Sequence, residues 1–189
     1  MTKIHDAIIF ATIKHQNQKR KGTDIPYIVH PMEVMQILTK FHCAETVIIA
    51  GILHDILEDT DTKPDEIEKL FGGEVLGLVK AESEDKSKTW KERKQATIDY
   101  LDNKASPEAK IICFADKLSN IRSIYSDKEK IGNEIWKRFN ADKDSIEWYY
   151  REVLRSIEKG SSIEYNGIVS AYYFTQACLE YRELLKVFI

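Results

Sequence analysis

The segment Val47–Leu53 is apolar or small at every position and runs directly into His54, Asp55, Glu58 and Asp59. A helix over about 44–58 would be hydrophobic on nearly every side, and such a helix is stable only when other elements surround it. The chain therefore calls for a central helix with an ionisable end, wrapped by partners that each bury an apolar stripe. The segment is far too short to span a bilayer, which takes about 20 apolar residues. Its burial must come from protein.

The rest of the chain supplies the wrapping. Helical spacing puts Ile4, Ala7, Ile8 and Ala11 on one face of a helix over 3–17. A basic turn, Gln18–Ile25, follows. A second helix is predicted from Pro31, carrying Val34, Ile37, Leu38 and Phe41, because proline suits the first helical turn. Thr62 is the predicted N-cap of the next, with Pro64, Asp65 and Glu66 in its first turn and Gly72-Gly73 at its end. A short apolar helix over 74–81 precedes a charged, solvated stretch, Glu82–Lys94. Further helices are expected from Ser106-Pro107-Glu108 to about Tyr125 and over 141–158. After a break at Ser161-Ser162, a last one is expected over 164–187. No segment alternates convincingly as a strand and no repeat or long linker divides the chain. The expected fold is all-α, a single domain over 1–189.

The ionisable residues suggest a metal centre. Asp55, Glu58 and Asp59 are spaced i, i+3 and i+4, on one helical face. Clustered carboxylates repel in a partly dry site, and a metal ion is the economical counter-charge. His30 lies just before Pro31, and Asp116 interrupts the apolar run Ile111–Leu118, where an unpaired aspartate would be costly. His30, His54, Asp55 and Asp116 offer two nitrogen and two oxygen ligands, a set that suits Mn²⁺ or Fe²⁺ ahead of Zn²⁺. Such an ion would acidify a water into a nucleophile. Asn120 and Ser123 continue the Asp116 face at i+4 and i+7. Arg20, Lys21 and Thr23, in QKRKGT, offer a guanidinium, an ammonium and a hydroxyl around a glycine, groups that grip phosphate. Lys88, Lys91, Arg93 and Lys94 form a second basic group. His5, His15 and His42 read as structural or surface residues. Tyr149, Tyr150, Tyr172, Tyr173 and Phe174 read as packing residues.

The strings FATIKHQNQKRKGTDIPYIVHP, AGILHDILEDT, FGGEV and FADKLSNIRSI occur in that order. Together they resemble the hydrolase domain of RelA/SpoT-type proteins and, in size, the stand-alone small alarmone hydrolases. The resemblance covers about 5–158 and leaves 160–189 as a C-terminal helical extension. It implies a helical HD-superfamily domain with one Mn²⁺ on His30, His54, Asp55 and Asp116. It further implies a catalytic acidic pair, Glu58 and Asp59, a phosphate-binding turn at Arg20 and Lys21, and nucleotide-facing Asn120 and Ser123. The implied reaction removes pyrophosphate from the ribose 3′ position of ppGpp or pppGpp, giving GDP or GTP. The chain departs from small hydrolases at Ser145-Ile146, where an aromatic pair often precedes the tryptophan. Two other readings share these residues: an HD phosphohydrolase acting on (p)ppApp or NADPH, and a non-catalytic alarmone sensor.

Charge and cysteine usage narrow the setting. A net charge of −3 argues against nucleic acid as the partner and leaves a small nucleotide. Cys43, Cys113 and Cys178 are scattered and odd in number, as expected of reduced thiols in a cytoplasmic protein. Lys3, His5, Asp6 and Lys14 interrupt any signal-peptide pattern. The aromatic final helix suits either core cover or self-association as a homo-oligomer.

Overall fold

The central apolar segment forms α3 (Glu45–Leu53), in which every residue from Val47 to Leu53 is buried. In the computed structural model, which describes residues 2–159, 165 and 167–189, α1 (Lys3–Lys14), α2 (Val29–Lys40) and α6 (Gly73–Glu82) pack around it. Between them lie the one-turn α4 (Ile56–Asp59) and α5 (Pro64–Phe71). The long α8 (Pro107–Ile131) is the second core helix. It packs on α2, α3 and α6, and α9 (Lys143–Lys159) and α10 (Ala171–Leu184) cover it. The remaining helix, α7 (Trp90–Asn103), packs on α9. Short 3₁₀ turns occupy Gly132–Arg138 and Leu185–Phe188. Among the described residues the β-type pairing is one isolated bridge, Lys19 to Pro26, so the fold is all-α. No described helix is long and apolar enough to cross a membrane.

One close approach sets the geometry of the site. A Cβ on Gly51 of α3 would lie 2.2 Å from Leu38 Cδ1 of α2. Glycine at this point lets the two histidine-bearing helices meet.

Several boundaries differ from expectation, each for a local reason. The helix expected over 44–58 breaks between α3 and α4. His54 Nδ1 bonds the Gly51 carbonyl at 2.8 Å, an oxygen that a continuing helix would offer to the Asp55 N–H. The N-cap of α5 is Lys63 rather than Thr62: Glu66 reaches back to the Lys63 N–H at 2.9 Å, while buried Thr62 shares a hydroxyl contact with Thr60. Helix α2 starts at Val29, which leaves Pro31 within the first turn. Helix α8 runs on to Ile131 and stops at Gly132, whose φ is +59°. The charged stretch 82–94 is structured at both ends: α6 continues to Glu82, and Thr89 opens α7 in a reciprocal capping box with Glu92. The last helix begins at Ala171, later than expected, and Ser161-Ser162 lie outside the described residues.

Candidate active site

Helices α2, α3 and α8 bring four expected ligands to one point. His30 Nε2 lies 3.2 Å from His54 Nε2 and 3.1 Å from Asp116 Oδ1. Asp55 Oδ2 is 2.9 Å from His54 Nε2 and 3.7 Å from His30 Nε2. The far side of each ring is committed. Ser119 donates to Glu33 Oε2 at 2.7 Å, so its oxygen must accept from His30 Nδ1–H, 2.9 Å away. His54 Nδ1 donates to the Gly51 carbonyl. Both Nε2 atoms are thereby left free to act as ligands, facing each other and two carboxylates, because a hydrogen bond at the far nitrogen fixes the tautomer and the ring orientation.

The electrostatics agree with that donor set. Burial opposes charge on His54, but Asp55 and Asp116 outweigh it and hold the imidazole up at about 10. Burial pushes His30 below its ordinary range. Burial also opposes ionisation of the two aspartates, yet His54 beside Asp55 and Lys117 beside Asp116 hold both well below the usual carboxylate range. A positive charge at the centre of this cluster is strongly stabilised. Ligand atoms of His30, His54 and Asp116 lie within 4.8 Å of one another, with Asp55 beside the two histidines, a donor set that fits a divalent ion.

The cluster opens into a cavity of about 480 Å³. Arg20 enters it with a 2.8 Å bond from Nη2 to Asn120 Oδ1. Asn120 Nδ2 in turn donates to Asp116 Oδ1 at 2.5 Å. Glu58 also lines the cavity. Burial raises its pKa, against the pull of Lys86, whose Nζ lies 3.5 Å from Glu58 Oε1. A smaller adjoining cavity of about 220 Å³ shares Arg20, Tyr27 and Asn120 and adds Lys21, Thr23 and Ser123. Its apolar wall comes from Ile124, Ile135, Phe139 and Tyr150. Tyr150 packs in the core, as expected, and one side of it also faces this cavity.

Other expected site residues sit apart. Asp59 does not line the cavity and pairs with Lys86 at 3.1 Å on its rim. Lys91 lies 3.2 Å from the Trp148 ring centroid and lines neither cavity. Arg93 reaches the cavity but is tied to Glu84 at 2.8 Å. Thr23 braces the basic turn: it donates to the Arg20 carbonyl at 2.9 Å and accepts from the Ile25 N–H at 3.2 Å. Lys21 donates to Asn140 at 2.9 Å.

The sequence reading missed Tyr27 and Ser119, while His15 is the structural residue that was expected. Tyr27 donates to Asp55 Oδ2. His15 is buried, bonded to Gln18 at 2.6 Å and packed on the Tyr27 ring. A usable signal existed for Tyr27 and Ser119: Tyr27 is three residues before His30, and Ser119 is three after Asp116.

Comparisons with known proteins agree with this geometry. Residues 7–146 match the HD domain family model. The guanosine-3′,5′-bis(diphosphate) 3′-pyrophosphohydrolase MESH1 of Drosophila melanogaster is 41% identical over 125 residues, 65% of this chain and 69% of that protein. Its Homo sapiens counterpart is 40% identical over 63% of this chain and 68% of its own. The enzyme of the same activity name from Aquifex aeolicus is 34% identical over 78% of this chain, but that match spans 20% of the longer protein. Among solved structures, a metazoan SpoT ortholog described as hydrolysing ppGpp aligns over 98% of this chain and 95% of its own. The TM-score is 0.75 and the identity 29%.

Proposed function

The chain belongs to the HD-domain family and to its guanosine-3′,5′-bis(diphosphate) 3′-pyrophosphohydrolases, and from this premise we propose how its own residues divide the work. The protein is a metal-dependent hydrolase that removes pyrophosphate from the ribose 3′ position of (p)ppGpp, leaving GDP or GTP. The observation that carries the assignment of roles is the convergence of His30, His54, Asp55 and Asp116 on one wall of a cavity that also holds Arg20, Asn120 and Glu58.

We assign Mn²⁺, ahead of Fe²⁺ or Zn²⁺, to those four ligands, where it would supply a Lewis acid for a phosphoryl oxygen and lower the pKa of a nearby water. Glu58 faces the cavity and takes the proton of the attacking water. Lys86 holds Glu58 in place, and Asp59 acts through Lys86 from the rim. Arg20 meets substrate phosphate, since its partner in the cavity is the neutral amide of Asn120 rather than a carboxylate. Asn120 and Ser123 orient the nucleoside, whose base suits the smaller cavity with its apolar wall. Lys21 and Thr23 hold the turn that presents Arg20. Attack of the water oxygen on the phosphorus bonded to the 3′ oxygen forms a new P–O bond as the old one breaks, and the departing 3′ oxygen takes up a proton from solvent to become the ribose hydroxyl, leaving pyrophosphate.

Pyrophosphate release from ppGpp with Mn²⁺ tests the assignment. The control is a chelated sample, and the comparison protein carries His54→Ala and Asp55→Ala. Metal-dependent release, abolished in the double variant, is the expected result. A double variant as fast as the native protein would refute the ligand assignment.

A further inference from the structure

The mechanism above uses one side of the main cavity and leaves the other unassigned. Helix α8 orders its contents. Cys113, Asp116 with Lys117, and Asn120 line the cavity in successive turns, and Ser123 follows in the adjoining one. At 1.5 Å per residue, the row from Cys113 to Ser123 measures about 15 Å. Arg20 and Asn120 mark one end and the metal ligands the middle. Beside the metal ligands, on the Lys117 side of α8, helices α7 and α9 contribute Lys94 and Tyr149.

Three features of that side point to an anion. The Tyr149 hydroxyl is buried and has no hydrogen-bond partner among the described residues, although the residue lines the cavity. A donor left in that state is costly unless a ligand satisfies it. The ammonium groups of Lys94 and Lys117 both lie against the Tyr149 ring, 4.8 and 5.7 Å from its centroid. The carboxylates nearby do not cancel them. Glu84 serves two cations at once, Arg93 at 2.8 Å and Lys94 at 2.6 Å. Asp116, the partner of Lys117, is itself a metal ligand. Burial, then the neighbouring Lys117, pull the Lys94 ammonium below its ordinary range, so an added anion there is welcome. The remaining carboxyl, Glu82, makes no hydrogen bond or ion pair among the described residues, and burial pushes it up to about 8. In its protonated form it donates to a phosphate rather than repelling one.

We propose that this lobe is a phosphoryl subsite in which the Tyr149 hydroxyl and the Lys94 and Lys117 ammonium groups hold the distal phosphate of the substrate's 3′-diphosphate. The inference rests on the functional reading above. It explains why a diphosphate, rather than a single phosphate, suits this cavity. The nucleoside lies toward Arg20 and Asn120, the scissile phosphorus beside the metal ligands, and the second phosphate against the wall that Lys117 of α8 forms with Lys94 of α7 and Tyr149 of α9.

Tyr149→Phe isolates the claim, because it removes only the orphaned hydroxyl and keeps the ring that packs against both lysines. Its melting temperature should match or exceed that of the native protein. The first measurement is equilibrium binding of inorganic pyrophosphate and of orthophosphate to the Mn²⁺-loaded proteins. Pyrophosphate should bind about tenfold more weakly to the variant, the loss expected for one hydrogen bond to a charged group, while orthophosphate binding changes less than twofold. The second is kcat/KM on ppGpp and on its analogue with a single 3′ phosphate. Only the first should fall, by about the same factor. Unchanged pyrophosphate binding, or an equal loss for both anions, overturns the subsite. A native protein inert toward ppGpp would instead overturn the functional reading, and the binding comparison would still decide the subsite.

Discussion

Ser119→Ala tests whether the metal centre depends on a residue that is not a ligand. Ser119 is fully buried and links two groups: its hydroxyl donates to Glu33 and its oxygen accepts from His30 Nδ1. Alanine leaves the Nδ1–H without a partner in a site with no exposure, at a cost of about 1–3 kcal/mol. It also releases the tautomer, and a proton on Nε2 would block the ligand atom. Loss of such a partner typically weakens metal binding about 10–100-fold, which is about 1.4–2.7 kcal/mol.

A thermal assay reads this directly. At a metal concentration about 1,000 times the native Kd, binding adds about 4.1 kcal/mol to stability. A site 10–100-fold weaker retains about 2.7 to 1.4 kcal/mol under the same conditions. For a domain of this size, about 2–4 °C accompany each kcal/mol. The Mn²⁺-induced rise in Tm should therefore shrink by about 3–11 °C in the variant, beyond any drop of the metal-free protein. A Tm rise equal to the native one, with Mn²⁺ affinity within twofold by calorimetry, would refute the reasoning and reduce Ser119 to a packing residue.

Two further outcomes follow from the geometry. Gly51→Ala places a methyl 2.2 Å from Leu38 Cδ1; overpacking costs about 1–3 kcal/mol, offset by about 1 kcal/mol of helix propensity. The larger effect should appear in a metal titration, because the strain separates the helices that carry His30 and His54, and adding Leu38→Ala should restore Mn²⁺ affinity without restoring stability. Lys86→Ala should move the acidic limb of the kcat/KM–pH profile to higher pH. In its assigned role as base Glu58 works as a carboxylate, so activity should be present above its pKa and lost as pH falls through it. Burial already raises that pKa and Lys86 opposes the rise, so removing Lys86 raises it further. A limb that stays put or moves to lower pH would sink the assignment of Glu58 as base.

How much of this was legible in the sequence depended on whether the signal was periodic. The apolar run before His54 announced a central helix, and α3 is that helix. Asp116 stood out because a carboxylate inside an apolar run needs a partner, and it sits among two histidines and Lys117. Helical spacing alone could not show the break at His54-Asp55. That break depends on the ring of His54 reaching the Gly51 carbonyl, a contact set by rotamer rather than by periodicity. Glu58 and Asp59 therefore part company, one in the cavity and one on the rim. Ser119 and Tyr149 were hidden for a different reason. A serine in a helix and a tyrosine in an amphipathic one are ordinary packing residues until the fold brings Glu33, His30, Lys94 and Lys117 against them.

The same break explains why a helix hydrophobic on all sides can end in an ionisable pair without cost to the core. Had α3 continued through residue 58, Asp55, Glu58 and Asp59 would have shared one face, and their charges would have met in one place. Ending α3 at Leu53 divides them instead. Asp55 turns to the histidines and Tyr27, Glu58 faces the cavity, and Asp59 pairs with Lys86. Asp55 then has partners of its own, while Glu58 and Asp59 share Lys86 at 3.5 and 3.1 Å, the compensation that low-dielectric surroundings require. The acid assigned to the ion is thereby separated from the acid assigned to the proton, and their pKa values move in opposite directions: Asp55 down and Glu58 up. A continuous helix could not hold one carboxylate charged and raise the pKa of its neighbour.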